Sequence, residues 1–123
     1  MKTILLIEDD PFLIDVYSAK LKEVGFGVDI ATNGEEGVKK IKQKKPDLLL
    51  LDIVLPGANG WEIIEKIRKD EAIKDLKIVI LSNLTEKDEV EKGLGLGADK
   101  YLIKAHFTPS QIVEEIKKIL SVG

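Results

Sequence analysis

Leu48-Leu49-Leu50-Leu51-Asp52, residues 48–52, joins four consecutive apolar residues to a carboxylate. A strand with one wet face alternates apolar and polar residues, whereas a strand buried on both faces is apolar throughout. The same pattern recurs at residues 4–7, which run into Glu8-Asp9-Asp10, and at 78–81, which run into Ser82. Two further runs, at 27–31 and 99–103, complete a series with 2–7, 47–51 and 77–81. Helix-period segments lie between the runs, and this alternation predicts βα units around a parallel sheet. Val28-Asp29-Ile30 alternates, and Lys100 and Lys104 bracket the apolar residues 101–103, so these two runs read as sheet edges. Strands one, three and four are then central. The order 2-1-3-4-5 satisfies this ranking with right-handed crossovers.

The helices carry readable ends. Asp10 and Pro11 read as N-cap and first-turn residue of helix one, which stops at Gly25. Helix two follows Thr32-Asn33-Gly34 and ends in Lys39, Lys40, Lys42, Lys44 and Lys45. Those lysines read as a solvated face complementing the helix dipole rather than as an anionic docking patch. Helix three starts near Asn59, and Trp61 reads as a packing residue. Thr85-Glu86-Lys87-Asp88 resembles a capping box for helix four, and Thr108-Pro109-Ser110-Gln111 a better one for helix five.

Composition narrows the function. The chain has 123 residues, enough for one domain, and a formal charge of −3, which disfavours a direct nucleic-acid binder. It has no cysteine, so disulfides, thiolate metal sites and cysteine nucleophiles are excluded and a reducing cytoplasm is the expected compartment. His106 is the only histidine, which excludes a multi-histidine metal site. No apolar run approaches the ~20 residues of a membrane span.

In open parallel sheets the functional site lies beyond the carboxyl ends of the strands. Those ends carry Glu8, Asp9 and Asp10, then Asp52, Ser82 and Lys104. Crowded carboxylates repel one another unless protonated or bridged by a cation. An all-oxygen donor set suits Mg²⁺ or Mn²⁺. A nucleophilic carboxylate, a metal, an ammonium and a hydroxyl together suit phosphoryl transfer. Each residue also has a plain alternative: Asp10 as a cap, Ser82 in a turn, Lys104 as a solvated edge residue. Their coincidence on one rim favours the functional reading.

ILLIEDD (4–10), LLLLDIVLPGANG (48–60), IVILSN (78–83) and GADKYLIK (97–104) together resemble the CheY-like receiver domain of two-component response regulators. The resemblance covers essentially the whole chain, 1–123, as one receiver domain. It implies a flavodoxin-like (βα)5 doubly wound parallel sheet. It further implies that Asp52 accepts a phosphoryl group from a histidine kinase or histidine phosphotransfer protein. Glu8 and Asp9 match the acidic pair that holds Mg²⁺, with Asp52 and the backbone carbonyl of Val54, which leaves Asp10 as the cap. Ser82 matches the hydroxyl that turns toward the acyl phosphate, Lys104 the site lysine and Tyr101 the aromatic switch position. The helix 4–strand 5–helix 5 surface would regulate a partner of unspecified identity. The chain would act without turnover catalysis beyond its own phosphorylation and dephosphorylation, as a monomer or a phosphorylation-dependent dimer.

Two features depart from the family pattern. Ala105 stands after Lys104 where receivers usually have a cis proline; a cis bond before a non-proline costs ~3–4 kcal/mol, so cis or trans stays open here, and a trans bond would rearrange loop 105–108 and bear on the placement of Lys104. His106 in that loop reads as an ordinary loop histidine, with a pH-sensing role as the alternative. Asn83 follows Ser82 in place of a small residue, either narrowing access to Asp52 or donating to the phosphoryl group. Val54 and Leu84, each two residues beyond a site residue, flank the approach, and neither orients an attacking water. Slow self-dephosphorylation, of the order of hours, is the expectation. Gly93, Gly95 and Gly97 lack the position and spacing of a dinucleotide loop. They either weaken helix four or permit close packing and a helix stop. Two other readings compete with this one. A Mg²⁺-dependent aspartyl-nucleophile phosphohydrolase wants a second acid at position 54, which is Val. A degenerate docking receiver would not need the intact acidic set.

Overall fold

The computed structural model describes residues 1–57, 59–84 and 86–122. The five apolar runs form parallel strands β1 (Thr3–Ile7), β2 (Gly27–Ala31), β3 (Leu48–Leu51), β4 (Lys77–Ser82) and β5 (Lys100–Ile103), in the order β2-β1-β3-β4-β5. They alternate with helices α1 (Pro11–Glu23), α2 (Gly34–Gln43), α3 (Gly60–Lys69), α4 (Lys87–Gly95) and α5 (Pro109–Leu120). All four residues of β3 are buried, and β2 and β5 lie at the edges, so the ranking by hydrophobicity matches the observed order.

Successive residues of a strand point to opposite faces, and this divides the core in two. Leu5, Ile7, Leu49, Leu51, Ile78 and Ile80 face one layer with Ile41 of α2 and Ile63, Ile64 and Ile67 of α3. Ile4, Leu6, Leu48, Leu50, Val79 and Leu81 face the other, with Tyr17 and Leu21 of α1 and Ile112, Val113 and Ile116 of α5. Neither face of the three central strands is left to solvent, which is why their sequences do not alternate.

Strand starts differ slightly from expectation. Lys2, Asp47 and Asp99 precede their strands. Asp47 accepts the Thr3 N–H at 2.7 Å through Oδ2, and Asp99 accepts the Ile78 N–H at 2.8 Å in the same way. Asp47 thus satisfies the first backbone donor of β1 and Asp99 the second of β4, while their own N–H groups donate to Thr3 O and Ile78 O.

Helix ends follow the expected chemistry at four of five starts. Asp10 accepts the N–H groups of Phe12 and Leu13, Asn33 that of Glu36, and Asn59 that of Glu62. Thr108 and Gln111 form a reciprocal capping box. The exception is α4. Thr85, expected to open a box there, lies outside the described residues, and the N-cap is Glu86, which makes no side-chain cap bond. Glutamate sets its carboxylate one bond too far from the backbone to cap as Asp or Asn does.

At the other end of α4, the glycines resolve toward packing and termination. A Cβ on Gly93 would lie 2.7 Å from Ile80 Cδ1 and 3.1 Å from both Trp61 and Tyr101. Gly97, at φ +107°, ends the helix in a conformation that costs an L side chain strain. Arg68, the single arginine, secures this junction: its Nε and Nη2 donate to Gly97 O at 3.1 and 2.6 Å, and Nη1 donates to Lys74 O and Leu76 O. Its position in sequence carries no signal of that role.

Candidate functional site

The parallel register carries the polar residues that end β1, β3, β4 and β5 to one rim. Ile7 pairs with Leu51 and Ser82 with Ile103, so Glu8, Asp52, Ser82 and Lys104 emerge side by side. The backbone ladder continues one residue past the strands: Glu8 N–H donates to Ala31 O at 3.1 Å and Asp52 N–H to Ile7 O at 3.0 Å. The carboxylates are thus mounted on rigid backbone rather than on mobile loops.

Glu8, Asp9 and Asp52 each bring a carboxylate oxygen within 4.8 Å of the other two. Glu8 is 1% exposed and Asp52 7%, while Asp9 is open to solvent. Lys104 Nζ reaches Glu8 Oε1 at 2.7 Å and Asp52 Oδ2 at 3.2 Å. The second oxygen of Glu8 accepts N–H bonds from Asp9 at 3.0 Å and Asp10 at 3.3 Å, and Asp52 Oδ1 accepts from Val54 N–H at 3.2 Å. Burial raises the pKa of Glu8 above the ordinary glutamate range; the Lys104 bond opposes this shift and the charge of Asp52 adds to it. Burial works against the Lys104 ammonium, yet the Glu8 bond and the two negative charges hold its pKa above the usual lysine value.

Three carboxylates against one ammonium leave two formal negative charges at the cluster. A divalent cation neutralises that remainder, and the donor set is all oxygen, as Mg²⁺ and Mn²⁺ require. The residues present therefore fit such an ion. They line a cleft of about 380 Å³ whose walls include Val54, Ser82, Asn83 and Leu84.

The Lys104–Ala105 bond is trans, because no peptide bond among the described residues is cis. The loop forms a 3-10 turn at Lys104–His106. With this trans bond Lys104 spans both carboxylates. His106 is exposed in this turn, as an ordinary loop histidine is. Asp10 serves α1 as its cap, as expected. Val54 and Asn83 are exposed at the mouth of the cleft and Leu84 is half-buried.

One connection was not legible in the sequence. The Leu84 backbone ties Ser82 to Tyr101: its N–H donates to Ser82 Oγ at 3.1 Å, and its carbonyl accepts from Tyr101 Oη at 2.8 Å. Leu84 is thus a relay point as well as a wall, through main-chain atoms that every residue type carries.

The sequence model of the response regulator receiver domain matches residues 4–117. The chain belongs to this family. It is 34% identical over 119 residues to the phosphate regulon transcriptional regulatory protein PhoB of Pseudomonas aeruginosa, a match that covers 97% of this chain and 52% of PhoB. The chain spans about half the length of the curated relatives it matches. Among solved structures, a putative response regulator from Chloroflexus aurantiacus superposes with a TM-score of 0.91 at 31% identity, covering 98% of each chain. A CheY-like receiver domain protein from Methanospirillum hungatei superposes with a TM-score of 0.90 at 31% identity, covering 98% of this chain and 94% of the other. The receiver domain is a phosphoacceptor signalling module of two-component systems, with the flavodoxin-like CheY fold. Among the described residues no helix is long and apolar enough to cross a membrane.

Proposed function

We propose that Asp52 of this receiver accepts the phosphoryl group, and that Mg²⁺, or Mn²⁺ in its place, is held by the carboxylates of Glu8, Asp9 and Asp52 and the backbone carbonyl of Val54. The supporting observation is the convergence of three carboxylates within 4.8 Å, with Lys104 spanning two of them. The donor is the phosphohistidine of a histidine kinase or histidine phosphotransfer protein, and the whole chain acts in the cytoplasm as one receiver domain.

Asp52 supplies the nucleophile. An oxygen of its carboxylate bonds to phosphorus as the phosphorus–nitrogen bond breaks, and the released imidazole nitrogen takes a proton. The Val54 N–H and Lys104 hold that carboxylate in a single orientation, so little reorganisation is needed when the donor arrives. Lys104 offsets charge on the transferring group, as preorganised cations do in phosphoryl transfer. A bound divalent ion supplies further neutralisation of the phosphoryl oxygens. Glu8 is held by its own backbone N–H neighbours and by Lys104, which suits a ligand-positioning role.

The acyl phosphate then biases the relay. Ser82 Oγ turns to a phosphoryl oxygen and releases the Leu84 N–H. The Leu84 carbonyl shifts with its peptide, and Tyr101 loses or changes its acceptor. Tyr101 packs beside Gly93 of α4, so the α4–β5–α5 surface changes and regulates a partner protein. The module catalyses only its own phosphorylation and dephosphorylation.

Intact mass measured after incubation with acetyl phosphate and MgCl2 tests the assignment. One added phosphoryl group is expected in the parent and none in Asp52→Asn. An adduct that persists in Asp52→Asn, or no adduct in the parent, overturns it. Sustained hydrolysis of added phosphoester without an adduct would indicate a phosphohydrolase instead.

A further inference from the structure

A second feature of the surface lies away from the carboxylate rim. Between α2 and α3 runs a groove of about 750 Å³, about twice the volume of the site cleft. Its accessible apolar lining comes from half-buried Val38 and exposed Pro56, while Ile63 is buried at 1% exposure. Its rim carries Lys39 and Lys42 from α2 and Lys66 from α3, with Glu35 near the opposite end.

Three lysines against one glutamate make this groove locally positive on a chain whose formal charge is −3. These lysines differ from their neighbours. Lys40 is bonded to Asp29 at 3.0 Å and to the Ile30 carbonyl, and Lys45 is paired with Asp75. Lys39, Lys42 and Lys66 are exposed, and none is paired with a carboxylate among the described residues. Complementing a helix dipole accounts for cations near a helix end. It does not account for cations from two helices converging over an accessible apolar lining.

We propose that the α2–α3 groove docks an acidic amphipathic helix of a partner protein. Glu35 to Lys42 spans seven helical steps, about 10 Å at 1.5 Å per residue. Two apolar side chains one turn apart on the incoming helix fit within that length and cover Val38 and Pro56. Carboxylates flanking the apolar stripe meet Lys39, Lys42 and Lys66. This is the helix-in-groove mode of recognition, with apolar anchors for affinity and charge for orientation. The surface is separate from the α4–β5–α5 face, and docking there does not depend on the assignment of Asp52.

The test uses a fluorescein-labelled glutamate-leucine peptide with leucines spaced three and four apart, and a scrambled peptide of equal composition without the stripe. Anisotropy should show saturable binding of the striped peptide only, and amide shifts in the ¹⁵N-labelled chain should cluster at residues 35–42, 56–57 and 63–66. Lys39→Glu/Lys66→Glu should weaken binding by roughly tenfold, from two contacts of rim type. Lys22→Glu/Lys77→Glu, which changes net charge equally elsewhere, should bind within about twofold of the parent, and circular dichroism confirms that both variants are folded. Absence of saturable binding, equal binding of the scrambled peptide, or equal loss in the control variant overturns the proposal.

Discussion

Lys104 and Glu8 are 96 residues apart in sequence and their side chains meet at 2.7 Å in the buried rim. Truncating one partner of a buried pair leaves the other charge uncompensated, which costs more than the pair itself contributes. Lys104→Met therefore leaves Glu8, Asp9 and Asp52 facing one another with no internal cation. Urea unfolding in EDTA should show a loss of roughly 2 kcal/mol. Millimolar MgCl2 should recover more stability in the variant than it adds to the parent. Equal responses to MgCl2 would contradict a shared role for the lysine and the ion.

Val54 and Leu84 flank the cleft, and neither has a group that orients water. The parent, once phosphorylated, should lose its phosphoryl group over hours. Val54→Asn or Leu84→Glu should shorten that lifetime severalfold, read by intact mass against time after the donor is removed. Phosphate loss no faster than the parent's in both variants would show that access does not limit hydrolysis.

Two glycines of α4 should respond in opposite directions. A Cβ at Gly93 meets Ile80, Trp61 and Tyr101, whereas nothing lies within 4 Å of a Cβ at Gly95. Gly95→Ala should stabilise by about 0.5–1 kcal/mol through helix propensity. Gly93→Ala gains the same propensity but overpacks, at a cost of about 1–3 kcal/mol, and should be net destabilising. Chemical denaturation of both variants reads the contrast.

Glu115 of α5 has its pKa lowered, first by its bond to Lys100 at 2.6 Å and then by Lys118. A depressed folded-state pKa means that the unfolded chain binds the proton more readily. The stabilisation is fully present above the ordinary glutamate value of 4.5 and is lost as pH falls through the lower folded value. The stability difference between the parent and Glu115→Gln should be largest near neutrality, under about 1 kcal/mol for so exposed a lysine partner, and should vanish in strong acid. A difference that grows on acidification would reverse the sign assigned here.

The carboxylate rim was largely legible because each of its side chains follows directly on an apolar run. Once the strands are parallel, their carboxyl ends must coincide, and residues as distant as Glu8 and Lys104 fall together. The Leu84 relay was not legible because it runs through N–H and C=O groups. The α4 start is not decided by its capping signal, because Thr85 lies outside the described residues and Glu86, at the cap position, makes no side-chain cap bond.

Local chemistry dictated which strands are central and which are edges, the four capped helix starts and the chemical types gathered at the rim, because hydrophobic burial and backbone capping act over a few residues. Packing alone decided the rest. Arg68 finds the carbonyl of Gly97, and Lys39, Lys42 and Lys66 converge on one groove, only when α3 is laid beside its neighbours. Long side chains reach several partners with similar local cost, so the choice among them belongs to the assembled fold.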